Sequence, residues 1–128
     1  MPDFEFLDCV DGGTNVIDEW LRQQPDGVRA RFFGLFEYLA NIPIGQWRMP
    51  KTRMLRGPFR QLREFRVKHE RIKYRLVGFH GPNPSQVTLC AGLTHSQNQA
   101  AQREAMRRAL RRGERVVRRE AEGVAHVV

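Results

Sequence analysis

The chain has 128 residues, with 22 Lys and Arg against 14 Asp and Glu, for a formal net charge of +8 at pH 7. That length supports one domain around one core, and 41% hydrophobic with 9% aromatic residues excludes a wholly disordered chain. The basic excess predicts an acidic partner, nucleic acid first among them, and by itself leaves fold and catalysis open.

The charge is unevenly spread. Residues 1–47 hold 3 basic and 8 acidic side chains, and residues 48–75 hold 11 and 2. Residues 76–102 hold neither, residues 103–119 hold 8 and 2, and residues 120–128 hold two acids. Arg supplies 19 of the 22 cations, which suits bidentate phosphate contacts. Asp3 and Glu5 precede any apolar run, against a secretory signal peptide. Pro82, Asn83, Pro84 and Ser85 break the charge-free stretch, so it does not span a bilayer. The expectation is a cytoplasmic protein without a membrane partner, in which Cys9 and Cys90 stay reduced and buried.

In chain order, Phe4–Cys9 reads as a short strand before an Asp11-Gly12-Gly13 turn. Asn15 is a good helix N-cap, with Asp18 and Glu19 in the first turns and Val16, Ile17, Trp20 and Leu21 on one face. Pro25 stops this helix and Asp26 is expected to cap the next, whose stripe is Val28, Phe32, Leu35, Phe36 and Leu39. Asn41 and Pro43 end it. Pro43, Pro50, Gly57 and Pro58 make residues 43–60 mostly loop, carrying Trp47, Arg48, Lys51, Arg53 and Arg56. Trp47 is either a plug over the core edge, the simpler reading, or a stacking platform for a nucleobase.

From Leu62 to Phe79 the period switches to two. Phe65 and Val67 share one face, with Glu64, Arg66 and Lys68 on the other, and a turn near His69–Ile72 returns the chain through Lys73–Phe79. A two- or four-residue hairpin loop opposes Lys68 to Lys73 and Arg66 to Arg75. Like charges directly opposite destabilise a sheet, so the pattern fits either a polyanion site or a solvated face with splayed side chains. Val87, Leu89, Ala91 and Leu93 mark a third strand. Ser96 with Gln99 resembles a capping box, opening a helix from about Asn98 to Arg112. Its stripe is Ala101, Ala105, Met106, Ala109 and Leu110, and Gly113 is a plausible stop unless Glu114–Glu122 prolong it. The tail with His126 reads as frayed.

The fold class expected is therefore α+β: a helical hairpin packed on a twisted antiparallel sheet, with a C-terminal helix. The domain is placed at residues 1–113, followed by a C-terminal extension at 114–128.

Several segments resemble the phage-derived, HigB-like branch of the RelE/ParE toxin superfamily. They are Glu19-Trp20-Leu21 before a proline, Val28-Arg29-Ala30-Arg31, and Pro43-Ile44-Gly45-Gln46-Trp47-Arg48-Met49-Pro50. Arg63-Glu64-Phe65-Arg66-Val67 and Tyr74-Arg75 complete the series, and the likeness spans roughly residues 4–112. The resemblance implies a small RelE-like domain that cleaves mRNA on the ribosome by attack of the RNA's own 2′-OH, without metal or other cofactor. It implies a helix-turn-helix antitoxin as protein partner. Arg66 and Arg75 would hold the scissile phosphate, Lys68 and Lys73 would line the groove, and Lys51, Arg53 and Arg56 would grip flanking phosphates or ribosomal RNA. Where the family usually carries a lysine-rich segment this chain has Leu93-Thr94-His95-Ser96, which makes His95 the candidate proton carrier. Alternatives are a ParE-like inhibitor of DNA gyrase and a non-catalytic module that binds nucleic acid or antitoxin.

Overall fold

The computed structural model of the chain describes residues 3–95 and 97–126. Among them, β1 (Glu5–Asp11) and β2 (Thr14–Asn15) lead into α1 (Val16–Arg22) and α2 (Asp26–Ala40). Then come β3 (Thr52–Met54), β4 (Leu62–His69), β5 (Ile72–His80) and β6 (Gln86–Thr94), followed by α3 (Gln99–Val117) and β7 (Glu122–Ala125). The sheet runs β2-β1-β6-β5-β4-β3, with β7 paired to β1. The meander β4-β5-β6 is antiparallel as expected, whereas β1 lies parallel to β6. The expected α+β class holds, and no helix among the described residues is long and apolar enough to cross a membrane.

One face of the sheet carries the aromatic core. Asn15 caps α1, its side chain accepting from the backbone N–H groups of Ile17 and Asp18. Trp20 lies so close over β6 that a Cβ on Gly92 would sit 2.1 Å from its ring. The α2 stripe Val28, Phe32, Leu35, Phe36 and Leu39 is buried as its spacing predicts. Asp26 does not cap this helix: Pro25 holds the cap position without a side-chain bond, and Asp26 is the first helical residue, where its carboxylate suits the dipole. Phe6 stacks on Phe36 at 4.4 Å, and Phe65 meets Phe36 edge-on at 5.4 Å. Trp47 closes this core as a plug, its Nε1–H donating to the Leu39 carbonyl at 3.0 Å.

The other face is covered over part of its length by α3. Ala105, Ala109, Gly113 and Val116 point into it, so small side chains let the helix lie close, and Gly113 packs on Phe79 instead of stopping the helix. Asn98 caps α3 by accepting from Ala101 N–H at 2.8 Å; the expected box from Ser96 falls on a residue outside the described ones. Cys9 and Cys90 are free, buried and adjacent across the β1–β6 pairing. Their mutual hydrogen bond and burial hold the Cys90 thiol well above its ordinary value.

Three strands are additional to those expected: the two-residue β2, β3 and β7. Residues 43–60 are not all loop, because Thr52–Met54 pair with Arg63–Phe65 as β3. Residues 114–126 are not a frayed extension: α3 continues to Val117, and β7 then pairs antiparallel with β1. The His126 ring is buried against Phe36, and its Nδ1–H donates to the buried Asp8 carboxylate at 2.7 Å. Asn15 donates to the other carboxylate oxygen at 3.1 Å. Removing a partner from a buried polar group costs its uncompensated desolvation. His126→Ala is therefore expected to lower the unfolding free energy by about 1–3 kcal/mol, read as a reduced urea midpoint with unchanged m-value.

Candidate functional site

The β4–β5 hairpin closes with the two-residue loop Glu70-Arg71, both at positive φ (49° and 70°). That loop fixes the register: Arg66 pairs with Arg75 and Lys68 with Lys73, as the alternation predicts. These four cations share the α3 face of the sheet, beyond the stretch of it that Leu62, Val77 and the helix make into core.

At the centre of this region is a carboxylate. Glu64 is completely buried, and three guanidiniums converge on it. Arg75 donates through Nη1 to Oε2 at 3.1 Å, Arg53 from the adjacent β3 position donates through Nε to Oε1, and Arg66 Nε stands 3.9 Å from Oε1. The site retains excess positive charge after this pairing. Among the described residues, Lys68 and Lys73 make no ion pair, and the buried Nε–H groups of Arg66 and Arg75 have no hydrogen-bond acceptor. The two Nε–H groups are closed to solvent, whereas Lys68 and Lys73 are exposed and present their charge to an incoming anion.

Arg75 is held from two further directions. Its Nη2 donates to Gln102 Oε1 on α3 at 3.1 Å and meets His95 Nε2 at 2.7 Å. Gln102 is itself fixed by donating to the Gln97 carbonyl. Arginine donates only, so this contact needs a lone pair on Nε2 and therefore a neutral imidazole. The electrostatics agree. Desolvation of the ring, then the cations Arg75, Lys73 and Arg66, pull the His95 pKa below its ordinary 6.5, with Glu64 opposing.

The residues expected from sequence divide into two groups. Arg66, Arg75 and His95 form one cluster, flanked by Lys51, Lys68 and Lys73, which line a groove of about 290 Å³ together with Arg66. Arg53 reaches the cluster but pairs with Glu64 instead of facing outwards. Arg56 lies elsewhere, in a groove of about 560 Å³ beside Phe59, Arg103 and Arg107 of the α3 side. His69 accepts from Arg31 on the opposite face, and His80 ends β5, where burial and Arg63 hold its imidazole below its ordinary value. Glu64 and Gln102 were missed as members of the site. For Glu64 the signal was present, since alternation already put it on the face of the cations. Among the described residues, no cluster of His, Cys, Asp and Glu forms a metal site.

The fold and this cluster define a small α+β domain with an arginine-rich cluster anchored on a buried carboxylate of its sheet. The chain belongs to the family described as Phage derived protein Gp49-like (DUF891), whose model matches residues 19–114. That family is related to RelE-type, toxin-like proteins. Comparisons with curated proteins and with solved structures return no match. All of the clustered residues fall within the matched span, whereas β1 and β7 lie outside it.

Removing one partner of a buried ion pair leaves the others uncompensated, at about 3–5 kcal/mol. Glu64→Ala is expected to destabilise by that order in urea unfolding. Arg53→Ala, which truncates a side chain 45% exposed, is expected to cost about 1 kcal/mol or less.

Proposed function

We propose that this chain is the toxin of a toxin–antitoxin pair and acts as a ribosome-dependent, metal-independent mRNA endonuclease. The observation that carries the reading is the convergence of Arg66, Arg75 and a neutral His95 around one buried carboxylate. Membership of the Gp49-like family supports the toxin class.

The chemistry follows from an exchange of partners at Arg75. A scissile phosphate enters between Arg66 and Arg75 and takes the Nη2 donor that otherwise occupies His95. The His95 Nε2 lone pair is thereby released to accept the proton of the adjacent 2′-OH. The 2′-oxygen attacks phosphorus, and the negative charge growing on the phosphoryl oxygens is met by the two guanidiniums. The P–O5′ bond breaks, and the leaving oxygen takes a proton from solvent. The products are a 2′,3′-cyclic phosphate and a 5′-hydroxyl. Glu64 and Gln102 hold Arg75 in position and touch no reacting atom. Lys68, Lys73 and Lys51 hold neighbouring phosphates, and a helix-turn-helix antitoxin covers the cationic face.

Arg66→Ala and Arg75→Ala are expected to abolish growth inhibition on induced expression while circular dichroism stays native, Arg75→Ala with a lowered urea midpoint because the buried Glu64 loses a partner. Primer extension on cellular mRNA reads the chemistry. Discrete cuts that vanish when translation is blocked support the proposal, and intact message with damaged DNA would point instead to gyrase.

The pH profile separates His95 from a bystander. Its neutral form is the base, so activity rises with pH through its pKa and then stays level. Because that pKa lies below 6.5 in the free protein, the acid limb of kcat/KM is expected below pH 6.5. His95→Gln is expected to lose about 10²–10⁴-fold in rate together with that limb. An unchanged limb in the variant excludes His95 as the base.

A further inference from the structure

The cationic groove does not stop at the catalytic cluster. Beyond Arg66, β4 has no strand partner on its outer side among the described residues, since β3 pairs only with Arg63–Phe65 and Lys51 O takes the Arg66 N–H. Around this bare edge the groove of Arg66, Lys68 and Lys73 continues into a second depression of about 480 Å³. The two share Lys51, Arg66, Val67 and Lys68, and the far wall is α2, through Arg31, Gly34 and Tyr38.

Tyr38 is the informative residue. On a helix whose other aromatic side chains mostly build the core, its ring is 51% exposed. Lys51 Nζ stands 4.8 Å from the ring centroid, and no atom lies within 4 Å of where a Cβ on Gly34 would sit, one helical turn away. The wall beside the ring is thus open at Gly34. Arg31, which lines the same depression, is held by donating through Nε to His69 Nδ1 at 3.2 Å. Trp47, the aromatic that the sequence offered as a stacking platform, is buried in the core and not available for the purpose.

We infer that this depression is a subsite for a nucleotide of single-stranded RNA flanking the cleavage point. Its base stacks on Tyr38, and its phosphate is gripped by Lys51, Lys68 and Arg31. An aromatic face among cations binds bases through stacking and phosphates through charge, without reading hydrogen bonds. The inference rests on the RNA-cleaving reading, and adds that the substrate track turns around the β4 edge onto α2. Binding there is tolerant of base identity but requires a base.

The test is fluorescence anisotropy with a labelled, fully 2′-O-methylated oligonucleotide of about ten nucleotides, which binds without being cut. Tyr38→Ala is expected to weaken binding by about tenfold, and Tyr38→Phe to leave it unchanged. An abasic site walked along the oligonucleotide is expected to reproduce that loss at one position only, and to add nothing there in Tyr38→Ala. If Tyr38→Ala binds as the wild type while Arg66→Ala does not bind, the subsite is wrong and the RNA site stands. A loss in Tyr38→Ala that persists whichever base is missing also overturns stacking. Absence of binding by the wild type overturns both readings together.

Discussion

The arrangement depends on one ionic contact, the buried Glu64 carboxylate shared by three arginines. Placing Arg66 directly opposite Arg75 on neighbouring strands is unfavourable in isolation. A carboxylate two residues back on β4, facing the same way, changes the balance, because it lies within reach of both guanidiniums and of Arg53 on the next strand. Burying that carboxylate is itself tolerable only because the arginines surround it. Each charge makes the other's position possible. The cluster is therefore a preorganised cation site whose geometry exists before any ligand arrives.

The secondary structure is disposed around that contact. The short strand β3 carries one useful cation, Arg53, and delivers it opposite Glu64. Small residues on α3 let the helix lie close to the far part of the face, and the helix begins only at Gln99, which leaves Lys68 and Lys73 exposed while Arg75 is buried beneath Gln102 and His95. Gln102, in the first turns of α3, reaches back to fix Arg75. His95 sits in the short connection between β6 and α3, so it meets the cluster from the rim and not from the sheet. Strand, helix and connection thus each contribute one polar atom to Arg75.

Much of this was legible in the amino-acid sequence where short-range rules apply. Alternation with a two-residue loop fixed the opposition of Arg66 to Arg75, and the 3.6-residue stripe fixed the buried face of α2. What was not legible depends on contacts between distant residues. The strand β7 has little signal of its own, and forms because β1, more than a hundred positions earlier, offers it an edge. The β3 segment lies among prolines and glycine, and is a strand only by virtue of its partner. Glu64 is placed on the face of the cations by alternation, which assigns a face and says nothing of what covers it. Its burial follows from Arg75, which the hairpin brings near, and from Arg53 of β3, which no local pattern does.

The distribution of charge gains meaning from the same reasoning. The arginines of α3 are partly neutralised within the helix, Arg107 and Arg111 by Glu104, and farther along Arg115 by Asp11 of β1. In the acidic N-terminal third, Asp18 takes Arg22 and Arg29. The sheet block is different. Its acid, Glu64, is already shared by three arginines, so Lys51, Lys68 and Lys73 add charge that this carboxylate does not cancel. Net charge describes the whole chain, but an approaching polyanion responds to uncancelled charge held at a fixed spacing. On that measure the uncancelled charge is concentrated at the end of the β4–β5 hairpin, ahead of the more numerous arginines of the terminal helix.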